Sequence, residues 1–248
     1  PSVEVGPYAV IDGACEIAAG CRVEAHAQLV GKVIVGAGTV IGHGAVVGAQ
    51  PQDLSFDPAT DSGVILGEKN TLREHVTIHR GAKSGGMTRV GDGNFIMVGA
   101  HLAHDVVLGN NNVLANGVLL AGHVHVGANA FLGGGAVFHQ FLRVGDACIV
   151  QGNSSFSKDV PPYCIGSQLN QIIGLNVVGL RRQGFSAEER ASIKRLFQLL
   201  FCSGKNLPAA ISEALATSWP DKAARLLDFV RAPSKKGVCR ARAGRGDD

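Results

Sequence analysis

An apolar residue returns at every sixth position from Val90 onward: Ile96, Leu102, Leu108, Leu114, Leu120, Val126, Leu132, Phe138, Val144 and Val150. An amphipathic helix repeats every 3.6 residues and a half-buried strand every two, so neither produces this pattern. A period of six marks a parallel β-helix, in which each coil stacks on the last and buries a ladder of aliphatic side chains. The same phase holds at Val5, Ile11, Ile17, Val23, Leu29, Val35, Ile41 and Val47, and again at Leu66, Leu72 and Ile78. If three hexapeptides close one coil, about 18 residues return the chain to the same edge. His104 then lies under Gly122 and Asp105 under His123, with neighbouring coils about 4.8 Å apart.

The repeat is interrupted twice, from Ala49 to about Gly63 and from Gly81 to Thr88. Interruptions of a solenoid become loops on its outside, often on the binding face. Asp159-Val160-Pro161-Pro162-Tyr163 ends the repeat, because two prolines cannot donate to a strand ladder. The predicted organisation is a β-helix over residues 1–169, a connector over 170–185, a helical domain over 186–232 and a basic, disordered tail over 233–248. Ser186 and Glu189 form a capping box, and Ile193, Leu196, Phe197 and Leu200 make an apolar helical face. A second helix is expected from about Leu207 to Ala216. A third should open at Pro220, carrying Ala224, Leu227, Phe229 and Val230. Because the repeat starts at Val5, no extended domain is expected before it.

Composition narrows the function classes. The chain has 34 glycines, 17% charged residues and a formal net charge of +3. No basic helix or interleaved aromatic patch accompanies that small excess, so nucleic-acid binding is not expected. No apolar run is long enough to span a membrane and no secretory signal opens the chain, which predicts a cytoplasmic protein without stable membrane insertion. Six cysteines without CxxC spacing read as reduced packing residues.

All nine histidines fall in the repeat region, seven of them between His75 and His139. A coil interior filled with aliphatics should leave these rings pointing outward or at corners. Stacking gathers His101, His104, His123 and His139, and three readings of that cluster stay open. One is general-base catalysis, since histidine titrates near neutral pH and an adjacent carboxylate can fix its tautomer. That reading needs His104 and Asp105 at a corner, because neighbours in a regular strand face opposite ways. Gly122 would offer an N–H with no side chain in the way. Another is a zinc site made of His101, His104, His123 and His139, as in a β-helical, carbonic anhydrase-like hydratase. The third is a non-catalytic trimer scaffold.

Several segments resemble the hexapeptide acyltransferases, most closely the UDP-N-acetylglucosamine O-acyltransferases. They are Pro51-Gln52-Asp53-Leu54, Arg73-Glu74, Val76-Thr77-Ile78-His79-Arg80-Gly81, Ala100 to Asp105, Leu120 to Val124, Val137 to Phe141, Asp159 to Tyr163 and Gly179 to Ser186. The resemblance implies a left-handed β-helix and a homotrimer with sites between subunits. It implies transfer of an (R)-3-hydroxyacyl chain from acyl carrier protein to the sugar 3-position of a UDP-sugar, the first step of lipid A biosynthesis. It makes His104 the general base, Asp105 its orienting carboxylate and the Gly122 N–H the oxyanion donor. Gln52, Asp53, His79, His101, His123, His139 and Gln140 become sugar and acyl contacts, and Asn176 and Arg182 nucleotide contacts. Gly152 becomes the position that sets acyl-chain length. No metal or cofactor is implied beyond the carrier's phosphopantetheine. Three residues depart from the family pattern and bear on nucleotide contacts: Ser55 stands where a form of the family has Lys after Asp53-Leu54, Val178 replaces an acidic residue in the nucleotide-contacting segment, and Gln183 replaces a basic one. Whether the acceptor bears a 3-hydroxyl or a 3-amino group stays open, because either would meet the same base. The sibling N-acyltransferases carry a uridine-binding domain before the helix, and a repeat starting at Val5 argues against them. Acidic carrier proteins should meet Arg190, Lys194, Arg195 and Lys205 on the helical domain.

Overall fold

The computed structural model describes residues 2–241. The chain winds as a left-handed β-helix of short parallel strands on three faces. The first face begins at Glu4–Val5, the second at Val10–Asp12 and the third at Cys15–Ile17. Each face is one continuous sheet, of eleven, eight and seven strands respectively. In the uninterrupted part His101 pairs with Leu119 and Val107 with His125, so one coil is 18 residues. Lower down, Val46 pairs with Thr77 and Thr77 with His101, because the two insertions lengthen those coils. Both insertions leave the solenoid between a second-face and a third-face strand.

The ladder residues from Val23 to Val150 are almost completely buried. Val5 and Ile11, at 54% and 42% exposure, and the half-buried Ile17 are the exceptions, because no coil of the described residues lies beneath them. One part of the interior is not aliphatic. Asn70, Asn94 and Asn112 are buried one above another, and the Oδ1 of each accepts a backbone N–H from the coil above at 2.8–2.9 Å. This satisfies polar atoms that would otherwise be stranded in the core. The triangular section needs a tight turn at each corner, and residues there take left-handed φ. Between the second and third faces these are Asp105, His123 and Phe141, at 59°, 59° and 68°.

The span expected to be a connector is more structured than the sequence suggests. Gln171–Leu175 turns back antiparallel onto Cys164–Ser167, and helix α1 follows at Val177–Arg182. Helix α2, Ala187–Phe197, has the capping box and runs into a π-helical turn, Gln198–Cys202. Helices α3, Leu207–Leu215, and α4, Asp221–Arg231, complete the domain. The segment after Pro233 is not a disordered tail as far as Ala241. Arg240–Ala241 pairs alongside Gln171–Leu175, Cys239 is 1% exposed, and the Gly237 carbonyl accepts the Asp159 N–H at 2.8 Å. A buried side chain and ladder hydrogen bonds outweigh the local charge and glycine content on which a disordered reading rests. Arg242 and Arg245 lie outside the described residues. Among the described residues no helix is long and apolar enough to cross a membrane.

Candidate active site

The edge between the second and third faces carries the candidate chemistry. His104 ends the second-face segment and Asp105 takes the left-handed corner, so two adjacent side chains turn toward each other instead of to opposite faces. His104 Nδ1 lies 2.9 Å from Asp105 Oδ2. A hydrogen bond there selects the tautomer whose Nε2 lone pair is free to take a proton. The carboxylate is itself held. Its Oδ2 accepts the Ala82 N–H at 3.1 Å, its main-chain N–H donates to the Thr88 hydroxyl at 2.8 Å, and His123 Nε2 stands 3.7 Å away.

One coil above, the His123 N–H donates to the His104 carbonyl and the Ala121 N–H to the Phe138 carbonyl. The N–H between them, on Gly122, donates to nothing among the described residues. Each regular corner of this edge leaves one such N–H free, and at Gly122 it stands beside the reactive ring. A Cβ at Gly122 would come within 2.6 Å of His104 Nε2 and Cε1, so only glycine leaves that ring in place.

A groove of about 340 Å³ opens from this corner across the second face, lined by Gln52, His79, His101, His104, Gly122 and Gln140 on its polar side. Its apolar wall is Leu119, Leu120, Val137 and Phe138. His101 Nδ1 is 2.7 Å from the Thr77 hydroxyl, and its ring meets His79 edge-on, 4.7 Å between centroids. His79 does not point outward as expected of a coil histidine. It is 7% exposed, and its Nδ1 has no hydrogen-bond partner among the described residues. Burial, helped by the neighbouring His101 and His104, pushes its pKa down to about 4. Burial also lowers the pKa of His101. For His123 burial again dominates; Asp105 pulls the value up, while His104, Lys235 and Lys83 push it further down. Burial thus disfavours the charged form of all three rings.

The first insertion brings Gln52 and Asp53 to the groove mouth. Ser55 donates both its N–H, at 2.9 Å, and its hydroxyl, at 2.8 Å, to Asp53 Oδ1, and these bonds hold the carboxyl below its ordinary pKa. Arg80 fastens the same loop by donating to the Pro58 and Thr60 carbonyls and lying 5.0 Å over the Phe56 ring.

Other expected contacts lie elsewhere in a single chain. His139 is exposed beside the groove, with Nδ1 3.3 Å from the Gln140 carbonyl. Asn176 is 4% exposed and already engaged: its Nδ2 donates to the Ala147 carbonyl and its Oδ1 caps α1 at Gly179. It sits with Arg182 beside the edge between the third and first faces, where Ala147 and Tyr163 turn. Gly152 does not continue the His104–Gly122–Gln140 stack. It packs on Gly134 at the edge between the first and second faces, so a path from His104 to it crosses the second face obliquely. The four-histidine zinc set does not assemble, because His101 turns to Thr77 and His139 to its own main chain. Among the described residues, the group whose ligand atoms converge is His104, Asp105 and His123, all within 4.8 Å of one another.

Sequence reasoning missed the supports. Ala82, Thr77, Thr88 and Phe141 carry no chemical signature of their own. The interruption at Gly81 was the available signal, because a loop leaving the same edge as His104 has to pack against it. Phe141 stacks on His123 at 4.7 Å, and Lys235 Nζ lies 4.1 Å above the Phe141 ring.

The fold and site define a hexapeptide-repeat transferase with a histidine–carboxylate pair at a coil corner. Residues 87–122 match the bacterial transferase hexapeptide family, and residues 159–239 match the family described as UDP N-acetylglucosamine O-acyltransferase, domain 2. An acyl-[acyl-carrier-protein]--UDP-N-acetylglucosamine O-acyltransferase of Syntrophobacter fumaroxidans is 40% identical over 242 residues, covering 96% of this chain and 93% of its own. One from Thermodesulfovibrio yellowstonii is 39% identical with the same coverage. Among solved structures, the UDP-N-acetylglucosamine acyltransferase of Francisella novicida superposes with a TM-score of 0.89 at 32% identity, covering 96% of this chain and 90% of that one. The chain belongs to the UDP-N-acetylglucosamine O-acyltransferase family.

Proposed function

We infer that this protein moves an (R)-3-hydroxyacyl chain from acyl carrier protein to the 3-hydroxyl of UDP-N-acetylglucosamine, the opening step of lipid A biosynthesis. The observation that carries the chemistry is the His104–Asp105 hydrogen bond of 2.9 Å beside an unused Gly122 N–H. His104 Nε2 takes the proton of the sugar hydroxyl as its oxygen attacks the thioester carbon. The charge that develops on the thioester oxygen is met by the Gly122 N–H. Asp105 stabilises the imidazolium formed in that step. Collapse of the intermediate breaks the carbon–sulfur bond, and the phosphopantetheine thiolate leaves with the proton that His104 returns. Water is kept from the thioester by the apolar wall of Leu119, Leu120, Val137 and Phe138. The step balances without a metal or a further cofactor.

In one chain the groove is open along the second face and Leu119 is 43% exposed. Asn176 and Arg182 lie off another edge, and a second copy could bring them to the nucleotide end. A cytoplasmic homotrimer with the groove between subunits fits both facts and the family. Purified protein, (R)-3-hydroxyacyl carriers and UDP-N-acetylglucosamine test the reading, with the product located by mass spectrometry. Acyl transfer lost in His104→Ala is expected. Absence of transfer by the wild type, for both the 3-hydroxyl and the 3-amino acceptor, overturns it.

A further inference from the structure

We propose that Lys83 and Lys235 form a phosphate-binding lip on the third-face side of the catalytic corner, reading a phosphate of one of the two substrates. The inference rests on the acyltransferase reading. The two lysines come from unrelated parts of the chain. Lys83 stands in the second insertion, next to Ala82, whose N–H holds Asp105 at 3.1 Å. Lys235 stands in the segment after α4, with Nζ 4.1 Å above the Phe141 ring, which in turn stacks on His123. Its turn is fixed, since the Ser234 hydroxyl accepts the N–H groups of Lys236 and Gly237 at 3.1 and 2.8 Å. The main chain of the same segment is bonded to Asp159.

Both ammonium groups are on exposed residues, and neither is in an ion pair among the described residues. The carboxylate at this corner, Asp105, is taken up by His104 and Ala82. Both lysine charges act on the same ring, His123, and help to push its pKa down, so the two ammonium groups face one patch of the corner. Lysine is suited to that anion as a compact point charge with three donors. Each substrate brings a phosphate on a flexible arm, the donor in phosphopantetheine and the acceptor in its diphosphate.

The test compares wild type with Lys83→Gln/Lys235→Gln on two small donors, the (R)-3-hydroxyacyl thioesters of phosphopantetheine and of pantetheine. A loss of about tenfold or more in kcat/KM for the phosphorylated donor alone assigns the lip to the donor's phosphate. A similar rise in KM for UDP-N-acetylglucosamine, with the donor ratio unchanged, assigns it to the diphosphate. Titrations of free 4′-phosphopantetheine and of UDP-N-acetylglucosamine give the same comparison without turnover, so the result does not depend on the acyl-transfer activity. A double variant that leaves both ratios and both affinities within twofold of wild type overturns the proposal. So does an equal loss on both donors with the acceptor KM unchanged.

Discussion

Gly122 and His104 are matched across a coil: the space a Cβ would occupy on the glycine is the space the imidazole fills, at 2.6 Å from Nε2. Gly122 does not need its glycine for backbone reasons, because its φ is not left-handed. Gly122→Ala should therefore fold and stack normally, yet push the His104 ring off the Asp105 hydrogen bond. The expected result is a loss of about 10²–10⁴ in kcat, the scale of a displaced general base, since the Gly122 N–H itself is kept, with a Tm near that of wild type. Calorimetry beside steady-state kinetics separates the two, and near-normal kcat would show that the ring has room to move.

His104→Ala removes the base and leaves a small cavity at a partly exposed corner. Turnover should fall roughly 10²–10⁴-fold while oligomeric state and Tm hold. Near-normal turnover by a folded variant would remove His104 from the mechanism.

His79 ties stability to pH. Its folded pKa is about 4, against an ordinary value of 6.5 when unfolded. Above pH 6.5 neither state is protonated and the group is silent. Between 6.5 and about 4 the unfolded chain binds the proton and the folded one does not, so stability falls as pH falls. At pH 4 the loss from His79 alone is roughly 3 kcal/mol. His101 and His123, also lowered, act in the same direction. Denaturant melts of wild type and His79→Gln across this range check it; parallel curves for the two proteins would contradict the assignment.

Electrostatic capture of the acidic carrier falls to fewer residues than charge counting suggests. Arg190 donates to the Phe185 carbonyl and Lys205 pairs with Glu213, whereas Lys194 and Arg195 are exposed in the last turn of α2. Lys194→Gln/Arg195→Gln should raise the KM for acyl carrier several-fold at low salt and less at high salt, since exposed charges act on association and are screened. A salt-independent KM in the wild type would discount this patch.

The spacing of Leu102, Leu120 and Phe138 already contains the coil, and with it the meeting of His104 and Gly122, because an 18-residue offset is a property of the repeat. The corner geometry of Asp105 was legible as a requirement, since adjacent side chains cannot otherwise meet. What holds Asp105 was not. The Ala82 N–H is a main-chain group in an irregular loop, and no side chain announces it. Nor was the burial of His79, since most coil histidines point outward and nothing local to this one says otherwise. The ordering of residues 233–241 rests on pairing with Gln171–Leu175, a contact between distant segments that local composition does not encode. Gly152 lies off the His104–Gly122–Gln140 stack because it follows Gln140 by less than one coil and belongs to the edge that Gly134 turns.

Chain-length selection is the last expectation, and the structure alters its route. The groove leaves His104 along Leu119, Leu120, Val137 and Phe138, and Gly152, which stacks on Gly134, stands past its lining residues at the far edge of the second face. Gly152 has no left-handed φ, and a Cβ there would stand 3.0 Å from the Gly134 carbonyl, so a side chain is tolerated with a small shift of that turn. A glycine leaves the end of the path open, and each further buried methylene contributes about 0.8 kcal/mol. The wild type should therefore prefer a long 3-hydroxyacyl donor. Gly152→Met should close the path and turn the preference to a shorter one, because over-packing a filled site costs roughly 1–3 kcal/mol. The quantity to measure is the ratio of kcat/KM for long and short carriers in both proteins, beside Tm to confirm that the turn has kept its shape. A wild type that favours the short donor, or a ratio unmoved by the methionine, would place the stop elsewhere along the second face.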